Sequence, residues 1–168
     1  MPTDSTPANA QSSAKADAAA RLERVALHCD ATSYDAASAE PLLLVALRVR
    51  GNRILTGGAL VLRGQENGFP TDAGDRLRRF IGQRPLIGYF LDFSAAMVER
   101  LTGGPLANER IEVSGLYYDR KVRSLSKSAV DLRLDSLIQD LDLPVRADDA
   151  RGTALAAAMA WLRLTNAG

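Results

Sequence analysis

The stretch Leu42–Val49 (LLLVALRV) opens as an apolar run and ends in alternation, with Leu47 and Val49 set against Arg48 and Arg50. That pattern predicts a strand buried on both faces along most of its length. Gly51-Asn52 follows as a tight turn, and Ile54–Leu62 returns as another strand, interrupted at Gly57-Gly58. Upstream, Val25-Ala26-Leu27 reads as a short buried strand ending near Cys29. Three strands joined by short connections predict an antiparallel meander. Beyond residue 70 the period lengthens. A helix is expected over about 71–83, with Leu77 and Phe80 on one face and Arg76, Arg78 and Arg79 on the other. Pro85–Gly88 (PLIG) predicts a short buried strand, 92–102 a helix, 111–113 a fifth strand running into Leu116-Tyr117-Tyr118, and 132–141 a helix. The closing helix is expected over about 149–164, because Leu155, Ala158, Met159 and Leu162 recur at i, i+3, i+4 and i+7. The order βββαβα(β)αα belongs to the α/β class: a mixed five-stranded sheet, its meander extended by parallel strands and flanked by helices.

Composition narrows this picture only slightly. The 168 residues suit one domain, expected over 21–168. Residues 1–20 contain no aromatic or large aliphatic side chain after Met1, so they read as a disordered tail that cannot offset its ordering entropy. The formal net charge of +1 gives no global field for recruiting a polyanion, although a local patch remains compatible with it. The single cysteine, Cys29, excludes an internal disulfide and fits a reducing compartment. No segment reads as a membrane span or a signal peptide, so a cytoplasmic protein of bacterial type is the expectation.

Three segments, in order, carry a resemblance. VALHCDATSYD at 25–35 resembles a strand ending in D-x-E-T-T/S-G. RPLIGYFLDFSAAMVERL at 84–101 resembles P-L-V-G-H/Y-N-x-x-F-D opening a helix. LPVRADDARGTALAAAMAWLRL at 143–164 resembles L-P-x-x-H-D-A-L-x-D-A-x-x-A. Together these are similar to the DEDDh family of 3′–5′ exonucleases, typified by the proofreading subunit of bacterial DNA polymerase III. IEVSGLYYDRKVR at 111–123 also looks like a bacterial branch of that family. The resemblance covers roughly residues 22–165 and implies a ribonuclease H-like fold.

It also implies a chemistry. In such enzymes four carboxylates hold two divalent metals that stabilise the attacking and leaving oxygens at a phosphate, and a histidine helps deprotonate the attacking water. Carried over, the first Asp of the family falls on His28 and its Glu on Asp30. The Asp of the middle motif falls on Ser94, the histidine of the closing motif on Asp148, and the last Asp on Thr153. Of the four ligand positions only Asp30 keeps a carboxylate, one methylene shorter. Sliding the middle motif would bring Asp92 into the ligand place, but it would also break the apolar phase of Ala96, Met97 and Leu101, so Asp92 reads as a first-turn residue favouring the helix dipole. The chain's one histidine stands in the first motif, so no second histidine exists to act as general base.

The expected function is a catalytically inactive pseudo-exonuclease that binds single-stranded nucleic acid or a protein partner, with no cofactor. Two alternatives stay open. One is a divergent nuclease using magnesium or manganese, with His28, Asp30 and Asp148 as ligands; the other is a purely structural interaction domain. YYDRKVRSLSKS at 117–128 reads as a surface loop in which Arg120, Lys121 and Arg123, with Lys127, stand near two tyrosines. It is either a phosphate-gripping, base-stacking segment or a solvated one. The oligomeric state leaves no mark in the sequence.

Overall fold

The computed structural model describes residues 23–124 and 129–166; the tail expected over 1–20 lies outside them. Strands β1 (Glu23–Ala31), β2 (Pro41–Arg50) and β3 (Arg53–Arg63) form the antiparallel meander. Helix α1 (Ala73–Ile81) leads to β4 (Leu86–Gly88), which pairs parallel with β1. Helix α2 (Leu91–Thr102) leads to β5 (Arg110–Glu112), parallel with β4. Helices α3 (Val113–Arg123), α4 (Leu134–Asp140) and α5 (Ala150–Asn166) complete the chain. The sheet runs β3-β2-β1-β4-β5.

The alternation of β1 builds a core on each face. Val25, Leu27 and Cys29 pack with Leu77 and Ile81 of α1 and with Leu91 and Met97 of α2. Ala26 points the other way, towards Val113 and Tyr117 of α3, Leu137 of α4 and the alanine-rich side of α5. Alanines 154, 157 and 158 are fully buried, and their small side chains bring α5 close to the strands. Each large aliphatic side chain buried this way contributes about 1.5–3 kcal/mol.

Two irregularities interrupt the meander. Ala46 pairs with Leu60 and Arg48 with Leu55, so Leu47 alone faces the four residues 56–59. Gly57-Gly58, read as an interruption, lies in this bulge. At the other end of β2, Asp30 pairs with Leu43 and Ala31 with Pro41, leaving Leu42 as an extra residue beside Asp30.

The element expectations need one correction. Residues 117–123, read as part of a loop, belong to α3, and residues 125–128 lie outside the described residues. Glu112 starts this helix: its Oε2 accepts from the Ser114 amide at 3.1 Å and the Ser114 hydroxyl at 2.8 Å. Val113 and Tyr117, one turn apart, are its buried residues. None of the described helices is long and apolar enough to cross a membrane.

Candidate functional site

The carboxyl end of β1, the start of α2 and the start of α5 bring the motif positions to one end of the sheet. His28 and Asp30 are two residues apart on one strand and therefore share a face, and His28 Nε2 meets Asp30 Oδ1 at 3.1 Å. Burial holds the imidazole below the ordinary histidine range, and the neighbouring Asp30 only partly opposes it. A carboxylate accepts only, so the neutral ring carries its proton on Nε2. Among the described residues Nδ1 is buried without a partner, and protonating it would add an N–H with no acceptor among them.

Ser94 is completely buried in the second turn of α2, and its Oγ accepts the Cys29 amide at 3.1 Å. The paired rows of β1 and β4 end at Ala26–Ile87. Past the end of β4 the β1 backbone has no strand neighbour on that side, and Ser94 supplies the missing acceptor. Asp92, two residues earlier, turns outward with its side chain 88% exposed and pairs with Arg110 at 2.9 Å. The Cys29 thiol lies on the opposite face from His28, and burial pushes it up to about 12, which makes it inert as a nucleophile.

At the start of α5, Asp149 acts as the cap. Its Oδ1 accepts the Gly152 amide at 2.7 Å, and its carbonyl accepts the Thr153 hydroxyl at 3.0 Å. Gly152 is required there, because a Cβ would come within 2.1 Å of the Arg146 carbonyl. Asp148 is exposed in the loop ahead of the helix. Among the described residues no three His, Cys, Asp or Glu side chains converge to hold a metal ion, so Asp148 does not join His28 and Asp30 as a ligand set. A neutral imidazole, one carboxylate and two committed hydroxyls do not match the hard, oxygen-rich shell that magnesium or manganese takes.

A cleft of about 490 Å³ opens beside this end of the sheet, lined by Tyr34, Phe90, Asp92, Phe93 and Glu112. Tyr34 follows β1 in a loop pinned at both ends: the Thr32 amide donates to the Glu40 carbonyl at 3.0 Å, and the Arg100 guanidinium donates to the Ala36 and Ala39 carbonyls. Its ring sits 6.1 Å from that of Phe93 and is 88% exposed. Phe90 occupies the left-handed region at φ +53°, ψ +46°, unusual for a bulky residue, and its ring is 4.5 Å from Tyr89. Glu112 receives the Leu91 amide at 2.9 Å in addition to its Ser114 donors. Sequence reasoning missed this aromatic wall; the signal was present in Tyr34 and in the phenylalanines flanking Leu91-Asp92, but only the fold brings the two segments together.

The basic residues expected at phosphates, Arg120, Lys121 and Arg123, stand together in the last turn of α3. Lys121 is engaged by Asp140 at 2.7 Å, and Asp140 also accepts the Tyr117 hydroxyl at 2.8 Å. Arg120 and Arg123 are exposed, Tyr117 is buried and Tyr118 is half-exposed.

No family model matches the chain, and no curated protein matches it in sequence. Solved structures do match in fold. E. coli exonuclease I in complex with a dT13 oligonucleotide superimposes with a TM-score of 0.67 at 12% identity, covering 88% of this chain and 41% of that one. An ExoI/SSB-Ct complex gives 0.68 at 10% identity, covering 87% and 41%. Cell-death related nuclease 4 (CRN-4) gives 0.52 at 14% identity, covering 89% and 65%. The chain thus spans less than half the length of the exonuclease I chains. A five-stranded mixed sheet in the order β3-β2-β1-β4-β5, helices on both faces and these superpositions agree: the chain has the ribonuclease H-like fold of the DEDDh-type 3′–5′ exonucleases.

Proposed function

We propose that this chain is a catalytically silent exonuclease-fold protein that holds the end of a single nucleic-acid strand in the cleft lined by Tyr34, Phe90 and Phe93. The observation that carries this reading is the aromatic wall of Tyr34, Phe90 and Phe93. Exposed rings stack on unpaired bases of any sequence, each base contributing about 1–3 kcal/mol. The backbone at Phe90 supports it further. A bulky residue held in the left-handed region costs on the order of 1–2 kcal/mol, and strain of that kind collects at ligand-binding positions. The two carboxylates in the wall do not oppose a base, since Arg110 pairs Asp92 and backbone amides occupy Glu112. The donor set supports silence: Ser94 and Thr153 spend their hydroxyls on backbone atoms, leaving one carboxylate and a neutral imidazole where hydrolysis would need a metal shell.

The test is a mobility-shift titration of a short labelled single strand, DNA and RNA in turn, with the full chain. Y34A and F90A should each weaken binding by roughly 5- to 150-fold, the equivalent of one lost stacking contact. Unchanged affinity in both variants would remove the cleft from the account.

A further inference from the structure

A second charged surface lies at the opposite pole of the sheet. The antiparallel register sets Glu23 against Arg50 and Arg50 against Arg53, places Arg24 beside Val49, and places Arg48 beside Val25. Arg84, just ahead of β4, closes on the same end through Glu23 at 2.8 Å. Five arginines thus crowd the strand ends of a protein whose net charge is only +1, and Glu23 and Glu109 are the carboxylates at those ends. Glu23 is buried and already shared between Arg50 and Arg84, so it organises these guanidiniums without cancelling them.

Two of the arginines are held rigid. The Arg24 guanidinium stacks over Trp161 at 4.6 Å from the ring centroid, on the α5 face of the sheet, and Arg48 stacks over Phe80 at 4.5 Å on the α1 face, so the pole reaches round both faces. The Nε atom of each is buried without an acceptor, and among the described residues neither guanidinium has a carboxylate partner. A planar fork fixed by stacking loses little entropy when it takes two oxygens of a phosphate, which is how arginine binds phosphate best.

We infer that this pole, built from Arg24, Arg48, Arg50, Arg53 and Arg84, is a binding site for the phosphate backbone of nucleic acid, at the far end of the sheet from the cleft. A protein partner fits it less well. Among the described residues the exposed large hydrophobics are Tyr34, Leu42, Val61, Phe90, Tyr118 and Val122, and none of them stands on these strand ends. An interface core needs apolar or aromatic anchors, whereas backbone binding needs only charge and forks. The pole is an independent site and does not rest on the cleft being occupied.

A blunt DNA duplex is the probe, because it offers phosphates without unpaired bases for the aromatic wall. Binding of the full chain is followed by fluorescence anisotropy across a salt series. The duplex should bind with a steep salt dependence, and R50Q/R53Q should flatten the log–log slope by about 0.9 per lost contact, near 60-fold in affinity at ~0.1 M salt for two. Arg84 still pairs Glu23 in that variant, so folding is preserved; R24Q/R48Q serves as the companion test of the stacked pair. Y34A/F90A should leave duplex binding unchanged. No duplex binding, or duplex binding indifferent to R50Q/R53Q, overturns the inference. So does capture of a polyglutamate peptide in place of the duplex, which would make the pole a protein-docking surface. Loss of single-strand binding alone, with duplex binding intact, would sink the cleft reading and leave the pole standing.

Discussion

Ser94 occupies a position that holds a metal-binding aspartate in the family this chain resembles, and here it accepts a backbone amide of β1. S94A should leave the Cys29 amide buried and unsatisfied and cost about 1–3 kcal/mol in a denaturant melt. Glu23 makes a second prediction, at the opposite pole. Burial alone would push its carboxyl up, but the guanidinium donors of Arg50 and Arg84, at 2.8 Å, outweigh that and hold it below the usual carboxylate range. A lowered folded value means stability that is complete above the unfolded value of about 4.3 and drains as pH falls through the folded one. E23Q should therefore destabilise the protein by roughly 1–3 kcal/mol at neutral pH, with the difference from the native chain closing in melts taken below about pH 4.

Among the elements, the junction of β4 and α2 positions both Ser94 and the aromatic wall. A Cβ on Gly88 would stand 2.8 Å from Leu91 Cδ1 and 3.1 Å from the Leu27 carbonyl, so G88A should push the start of α2 off the sheet. The expected cost is about 1–3 kcal/mol, as for other overpacked sites, with a matching loss of single-strand binding in the same preparation. The elements themselves were largely legible in sequence. β2 announced itself by its apolar run, α5 by its helical period, and β3 by a Gly-Gly pair that proves to be a bulge. α3 was missed because Glu112, outside the usual N-cap set, starts it and Gly115 lies within its first turn, so nothing in the run announces a helix. The departures from the resembled motifs were legible as single letters, His28, Ser94 and Thr153. What Ser94 and Thr153 do instead was not, since an orphaned strand amide or a helix-start carbonyl leaves no trace in side-chain identity.

For the molecule as a whole, the fold superimposes on exonucleases, the residues at the motif end of the sheet are structural or aromatic, and arginines stand at the other end. The proposed function requires a scaffold that persists without the hydrolysis. The most direct measurement follows the length of an end-labelled single strand incubated with the full chain and magnesium or manganese, D30A run in parallel. With the proposed function, the strand is bound and retarded but keeps its full length at every metal concentration. Metal-dependent shortening that D30A abolishes would contradict it.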